Sequence, residues 1–415
     1  MIGSNKLLFI SFSRVLIGIF PFLGSLYIGR ILNEEQFGSY YLFYLLSTFL
    51  LTFFAFNVHI GYRRHTSSKS YKVKYLGFLS SQIYLSYIFL INILLTVLFY
   101  FSLSGFHNLS PEYLFFLILF CYTSVFLSMY ESFSIVTESV KVFITNIIIP
   151  ILLAWAVSLF IVEQSKDWID RYKYFSFTIL AFSYISLLFS KDIFQLTRRQ
   201  RAYVLLIGKK YFRISLHLVL PVLAIQGFNY FDKLVLKNYL DELSFGQFSL
   251  ALQLSLIPFM AFKVLELLYE KSLFSNPNAN QKKTKFIWHL NIYIASQIIF
   301  SIFLMLFMPI FFSILYSKTL ILDSYSVFLL SLLQLSKLSF SFLIIYLLLF
   351  KEQSKAINNC FILLVLWGIS IYLSSSVIQY MIFTVLSTYA SVIIVMMYSM
   401  KKRKNEGNSE TLKKQ

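Results

Sequence analysis

Three cations stand inside long apolar stretches of this chain: Arg14, Lys263 and Lys337. A Lys or Arg at bilayer depth costs about 2.5–3.5 kcal/mol on insertion scales, so it turns toward protein or a water-filled cavity rather than lipid. Lining one cavity, the three would make it cationic, and a cationic cavity invites an anion such as a phosphate or pyrophosphate head group. Carboxylates at comparable places are few. Asp232, beside Lys233 at the end of the seventh apolar run, and Glu266 are the two candidates for coupling to an ion. Pro221 and Gly227 fall among polar residues in that same run. Proline removes a backbone hydrogen bond, so the pair marks a candidate hinge.

Known catalytic signatures are missing from the sequence. It contains no P-loop, no G-x-G-x-x-G, no H-E-x-x-H and no G-x-S-x-G. The two cysteines, Cys121 and Cys360, have neither CxxC nor His/Cys ligand spacing. No metal, no cofactor and no ATP chemistry on this chain are therefore expected.

The elements that carry these residues follow from composition. The chain is 58% apolar and 19% aromatic with 13% charged residues, and its mean hydropathy is +0.73. A soluble domain is about a quarter charged and cannot hide this much apolar surface. The class is an all-α polytopic membrane protein; the apolar runs are too long, and alternate too little, for a transmembrane barrel. Runs of roughly 20 apolar residues predict twelve spans: 7–29, 37–58, 76–103, 112–130, 142–162, 174–190, 214–231, 245–268, 286–308, 326–349, 358–375 and 377–400. The last two are divided only by a short polar turn at Ser374–Ser376. Leu7–Gly29 is too long for a secretory signal, holds Arg14, and reads as the first span.

Charge gives orientation. With the N-terminus inside, 26 of the 36 Lys and Arg fall on inner segments and 7 on outer ones, a strong positive-inside signal. Both termini are then cytoplasmic. The net charge of +18 is explained by loops facing the cytoplasm, so nucleic acid is not an expected partner.

The chain also repeats itself. Leu32–Leu42, L-N-E-E-Q-F-G-S-Y-Y-L, returns 208 residues later as Leu240–Leu250, L-D-E-L-S-F-G-Q-F-S-L. Each copy joins two apolar runs. Glu34, Gly38, Glu242 and Gly246 are the matched turn residues: the glutamates supply charge and capping at the start of the next helix, and the glycines tighten the turn. An even number of spans per half makes the repeats parallel, related about an axis along the membrane normal. The expected organisation is an N-terminal six-helix bundle over 1–190, a basic cytoplasmic linker over 191–213, a C-terminal six-helix bundle over 214–400 and a disordered tail over 401–415.

Arg30–Tyr41, R-I-L-N-E-E-Q-F-G-S-Y-Y, with a second span ending N-V-H-I-G at Asn57–Gly61, resembles the polysaccharide flippase family, the O-antigen and teichoic-acid-type translocases. This family sits within the multidrug/oligosaccharidyl-lipid/polysaccharide exporter superfamily. The proline-containing seventh span, F-D-K at Phe231–Lys233 and the second F-G at Phe245–Gly246 extend the likeness. Asn57 stands where many members carry Asp, so that position offers no carboxylate. The resemblance implies two six-helix bundles around a V-shaped central cavity. It implies translocation of an undecaprenyl-pyrophosphate-linked oligosaccharide from the inner to the outer leaflet of the bacterial cytoplasmic membrane, by alternating access, for O-antigen, lipopolysaccharide or capsule synthesis. Arg14 matches in place an arginine that helps bind pyrophosphate in relatives. Polysaccharide polymerase machinery and a coupling proton or sodium ion are the further partners implied. Two alternatives stand beside this reading. A multidrug exporter of the same superfamily would favour acidic cavity residues. A membrane O-antigen polymerase or ligase would need a large outer loop, and the outer loops here are short.

Overall fold

The computed structural model describes residue 13 and residues 21–55, 58–66, 69–102, 111–189, 198–255, 279–320, 322–349 and 353–412. Among them every regular element is a helix. In chain order these are α1 (21–31), α2 (Glu34–Ala55), α3 (Val58–Thr66), α4 (Tyr71–Ser102), α5 (Pro111–Thr137), α6 (Val140–Ser165, with a π-helical turn at Ile144–Ile148), α7 (Ile169–Phe189), α8 (Arg198–Tyr239), α9 (Glu242–Ser255), α10 (Ala279–Tyr316), α11 (Ser324–Leu349), α12 (Gln353–Leu373) and α13 (Val377–Leu412). Six stretches of the described residues are long and apolar enough to cross a membrane: Glu112–Thr137, Val140–Ser165, Val219–Tyr239, Ile294–Tyr316, Ala356–Leu373 and Val377–Ile394. Much of their surface is exposed. Ile299, Leu306, Ile310 and Ile314 of α10 and Phe361 and Tyr372 of α12 all face outward, as a lipid-facing bundle requires. The chain is a multi-pass helical membrane protein.

Helix starts follow local chemistry. Asn33 accepts from the Gln36 amide at 2.8 Å, and the Gln36 side chain reaches back to the Asn33 amide at 3.4 Å. That reciprocal pair is a capping box. Asp241 accepts from Ser244 N at 3.0 Å in the second copy of the motif. The expected short turn at Ser374–Ser376 is present. It starts α13 with Ser376 accepting from Gln379 N at 3.3 Å and Gln379 accepting from Ser375 N at 3.0 Å.

Two expectations are corrected. Where a linker over 191–213 was to hand over to a separate seventh span, residues 198–239 form one continuous helix. Its basic first part, R-R-Q-R-A-Y-V-L-L-I-G-K-K, is too polar to be a span yet rich in good helix formers. The polar stretch expected to be a disordered tail is helical through Leu412 as the extension of α13, again with Lys, Arg and Glu as strong formers.

The packing differs between the two ends of the bundle. At the end carrying the two repeat motifs, here the repeat end, one apolar core draws from both halves. Leu32, Phe37, Tyr40 and Tyr41 of the first half share it with Phe248, Leu250, Met308, Phe312, Tyr316 and Tyr380 of the second. Toward the other end, the basic end, the cores separate. One holds Tyr62, Phe78, Met129, Phe143 and Trp155 of the first half. Another holds Phe228, Ile344, Ala356, Cys360 and Val392 of the second. The long helix α8 runs between them. Tyr211 near its start stacks edge-on against Tyr62 at 5.8 Å, while Phe228 further on packs edge-on against Trp367 at 5.4 Å. The halves share one core at the repeat end and, among the described residues, keep separate cores toward the basic end.

Candidate functional site: a buried charge cluster beneath the repeat end

The two repeat motifs meet each other. α2 and α9 cross at their first turns, with Gly38 against Gly246. A Cβ on Gly246 would lie 2.0 Å from the Glu34 carbonyl oxygen and 2.4 Å from its carbon, both backbone atoms. A Cβ on Gly38 would meet Phe245 at 3.1 Å and the Gly246 Cα at 3.4 Å. These glycines therefore do not tighten a turn. Both lie inside helices with ordinary negative φ, and what they supply is closeness of two backbones. Capping falls to Asn33 and Asp241 one residue earlier, leaving Glu34 and Glu242 as first-turn acids that complement the helix dipole. A strap reinforces the crossing. Lys318 of the second half donates to the Leu32 carbonyl at 2.6 Å and lies 3.9 Å from Glu34. Burial pushes the Lys318 ammonium down from its usual range, and Glu34 draws it partly back.

Directly beneath lies the cluster. Asp232 is fully buried. Its Oδ2 accepts from the ammonium of Lys233 at 2.8 Å and from that of Lys337 on α11. Its Oδ1 accepts from the hydroxyl of Tyr380 on α13 at 2.6 Å, and Tyr380 in turn accepts from the indole N–H of Trp367 on α12 at 2.8 Å. The Lys337 ammonium also sits 4.8 Å from the centre of the Phe228 ring, a cation–π contact. Four helices thus converge on one carboxylate. Asp232 and Lys233 read from sequence as a pair ending a span; instead α8 continues to Tyr239 and closes them inside. Lys337 read as a cavity-lining cation; it is 3% exposed and faces Asp232. The physical reason is the cost of isolated buried charge, which pairing offsets.

Other candidates land as follows. Pro221 and Gly227 are both buried in α8, which runs unbroken through them. The Pro221 carbonyl accepts from Cys360 Sγ at 3.8 Å, and Gly227 packs against Phe49 of α2. Arg14, Lys263 and Glu266 lie outside the described residues. One residue was missed. Arg171 had been counted as an outer-loop cation. It is buried, with its guanidinium 3.9 Å from the Trp155 ring and 5.1 Å from that of Tyr40. Its neighbours Trp168 and Tyr172, aromatic at the mouth of a span, were the available signal.

No family model matches the sequence, and a search of curated proteins finds no match. Solved structures do match, along nearly the whole chain. An inward-facing multidrug resistance MATE family transporter of the MOP superfamily aligns over 95% of this chain and 97% of its own, with a TM-score of 0.65 and 12% identity. The chain shares the fold of these transporters. An outward-facing multidrug resistance MATE family transporter aligns at a TM-score of 0.59 and 12% identity, over 96% of both chains. The bent form of the Vibrio cholerae MATE transporter VcmN aligns at 0.61 and 12% identity, over 97% of this chain and 98% of that one.

Proposed function

We propose that the chain is an alternating-access transporter that flips an undecaprenyl-pyrophosphate-linked oligosaccharide from the inner to the outer leaflet of the bacterial cytoplasmic membrane, for surface polysaccharide synthesis. The fold supports transport: two halves joined at the repeat end, with basic loops at the other, match a cavity open to the cytoplasm when both termini lie inside. The observation that carries the choice of cargo is the sign of the buried charge. Among the described residues, the buried ionisable cations are Arg171, Lys233 and Lys337, and the single buried acid is Asp232. With Asp232 matched by one ammonium, that balance leaves Arg171 in excess and no buried acid free for a cationic cargo, and a pyrophosphate, which cannot enter hydrocarbon unpaired, needs such Arg or Lys side chains to replace its water. In this reading Arg14 and Lys263 add to the cationic wall, and Pro221 and Gly227 let α8 bend as the halves rock. The polar sugar crosses inside while the polyprenyl tail stays in lipid, and polymerase machinery takes the product on the outer face.

A second reading is a multidrug exporter, as the solved structures are named. Reconstitution separates them. Proteoliposomes of the purified chain are given a fluorescent lipid-linked oligosaccharide or the cationic dye ethidium. Leaflet exchange of the lipid without dye movement supports the flippase. Dye movement with static lipid overturns it.

A further inference from the structure

The cluster around Asp232 holds two ammoniums and one carboxylate on two helices, α8 and α11, so when every group is charged it carries one positive charge too many. We propose that this surplus is a titrating switch: one of the two lysines, Lys233 or Lys337, takes up and releases a proton whose binding shifts the balance between the joined and parted forms of the repeat end, and Asp232 is its fixed counter-charge. The inference rests on the transporter reading for its use, but not for its chemistry.

Hydrogen-bond direction excludes the acid. An indole N–H can only donate, so the Trp367 contact at 2.8 Å makes Tyr380 an acceptor there. Tyr380 has one proton, and it points at Asp232 Oδ1 at 2.6 Å. Oδ2 receives both ammoniums. Each oxygen of Asp232 is thus an acceptor already supplied with donors, which describes an ionised carboxylate with no proton to carry. The same saturation leaves no free oxygen for a sodium ion, since a lysine stands where the cation would bind.

The lysines are in the opposite position. Two ammoniums share one oxygen in a water-poor interior, where like charges repel strongly. The balanced buried state has one proton fewer: a carboxylate, one ammonium and one neutral amine. Uptake is simple in its balance. A proton from water binds the lone pair of the neutral amine, no other bond is made or broken, and the cluster passes from neutral to singly positive.

Access follows the repeat end. Tyr380 from α13 donates to Asp232, and Tyr41 from α2 lies close enough to feel its charge; Tyr44 from α2 and Tyr316 from α10 neighbour Tyr41, and Tyr239 from α8 packs beside Tyr380. α12 presents the Trp367 indole and α8 the Phe228 ring. Tyr41 and Tyr316 belong to the core shared by the two halves, so parting that core would let water reach the lysines. The neutral cluster suits the buried, joined state shown here, and the protonated one suits the parted state. Protonation therefore favours the parted repeat end, and rejoining it returns the proton to the water that entered there.

The test needs no cargo, so it can fail or succeed independently of the flippase reading. The full chain, spin-labelled at Glu35 and Asp241 across the repeat end, is reconstituted in nanodiscs, and the inter-label distance is followed from about pH 5 to about pH 10, a range spanning ordinary His to Lys titration. The wild type is expected to shift toward the parted distance as pH falls. Lys233→Met and Lys337→Met each leave a balanced pair and are expected to lose that shift. The double variant Lys233→Arg/Lys337→Arg, charged throughout this range, is expected to favour the parted form at every pH and shows that a folded variant can be locked. Unchanged pH response in both Met variants overturns the proposal, as does a shift produced by sodium at constant pH instead.

Discussion

The two ends of this bundle are built on different principles. At the repeat end, α2 and α9 approach to backbone contact at Gly38 and Gly246, one aromatic core spans both halves, and Lys318 ties the second half to the Leu32 carbonyl of the first. Toward the basic end, each half keeps its own core and α8 passes between them. A shared core must be broken for the halves to part there; separate cores can move as rigid bodies. The difference teaches that the internal repeat is more than a relic of duplication. Its two copies are the two faces of one contact, and that contact stands over the buried charges.

The account can be broken or sharpened by loading this asymmetry. Asp232→Asn should have the largest effect. It removes the only described buried counter-charge and strands a buried ammonium, at a cost of about 3–5 kcal/mol. A marked fall in the apparent melting temperature of the purified protein is expected, against a much smaller one for Lys337→Met, which leaves the Asp232–Lys233 pair; equal stability of Asp232→Asn and wild type would remove the cluster from the account. Gly246→Ala comes next. Its methyl would overlap the Glu34 backbone, which cannot rotate away, and overpacking of this kind costs about 1–3 kcal/mol in the joined state. Because the parted state has no such neighbour, the protein should stay folded and open at the repeat end, read as labelling of Leu250→Cys, a position buried in the shared core, by an impermeant thiol reagent. Gly38→Ala should be milder, under about 1 kcal/mol, since its nearest neighbour is the Phe245 ring at 3.1 Å rather than backbone. Lys318→Met should be smallest. The ion pair is worth about 1 kcal/mol or less, and burial already works against the ammonium. Labelling should rise slightly, and a rise exceeding that of Gly246→Ala would place the closing force in the strap rather than the helix crossing.

How legible was this in the sequence? Apolar runs located the spans and the polar turn at Ser374–Ser376 was readable, but capping read as the work of Glu34 and Glu242 belongs to Asn33 and Asp241. The repeat was visible, though its meaning was not: F-G looked like a turn, and only the crossing of α2 over α9 makes its glycine a contact. Hydropathy sees membrane length but not helix length, so the basic start of α8 passed for a linker. The cluster was invisible for a different reason. Asp232 and Lys337 are 105 residues apart, and no spacing rule joins them. Each was singled out as a costly intramembrane charge, one as an acid and one as a cation, and their pairing required the fold. Arg171 was hidden by its place at a span's edge, where a loop cation is the ordinary reading.

The central claim is that this structure is joined at the repeat end through a core shared by both halves, and that the Gly38–Gly246 crossing holds it so. Pulsed electron–electron resonance tests it most directly, with one label pair at Glu35 and Asp241 and another at Lys72 and Asn358, in a background with Cys121 and Cys360 replaced by alanine. The account predicts that Gly246→Ala lengthens the first distance and shortens the second. Both distances unchanged, or both moving in the same direction, would contradict it.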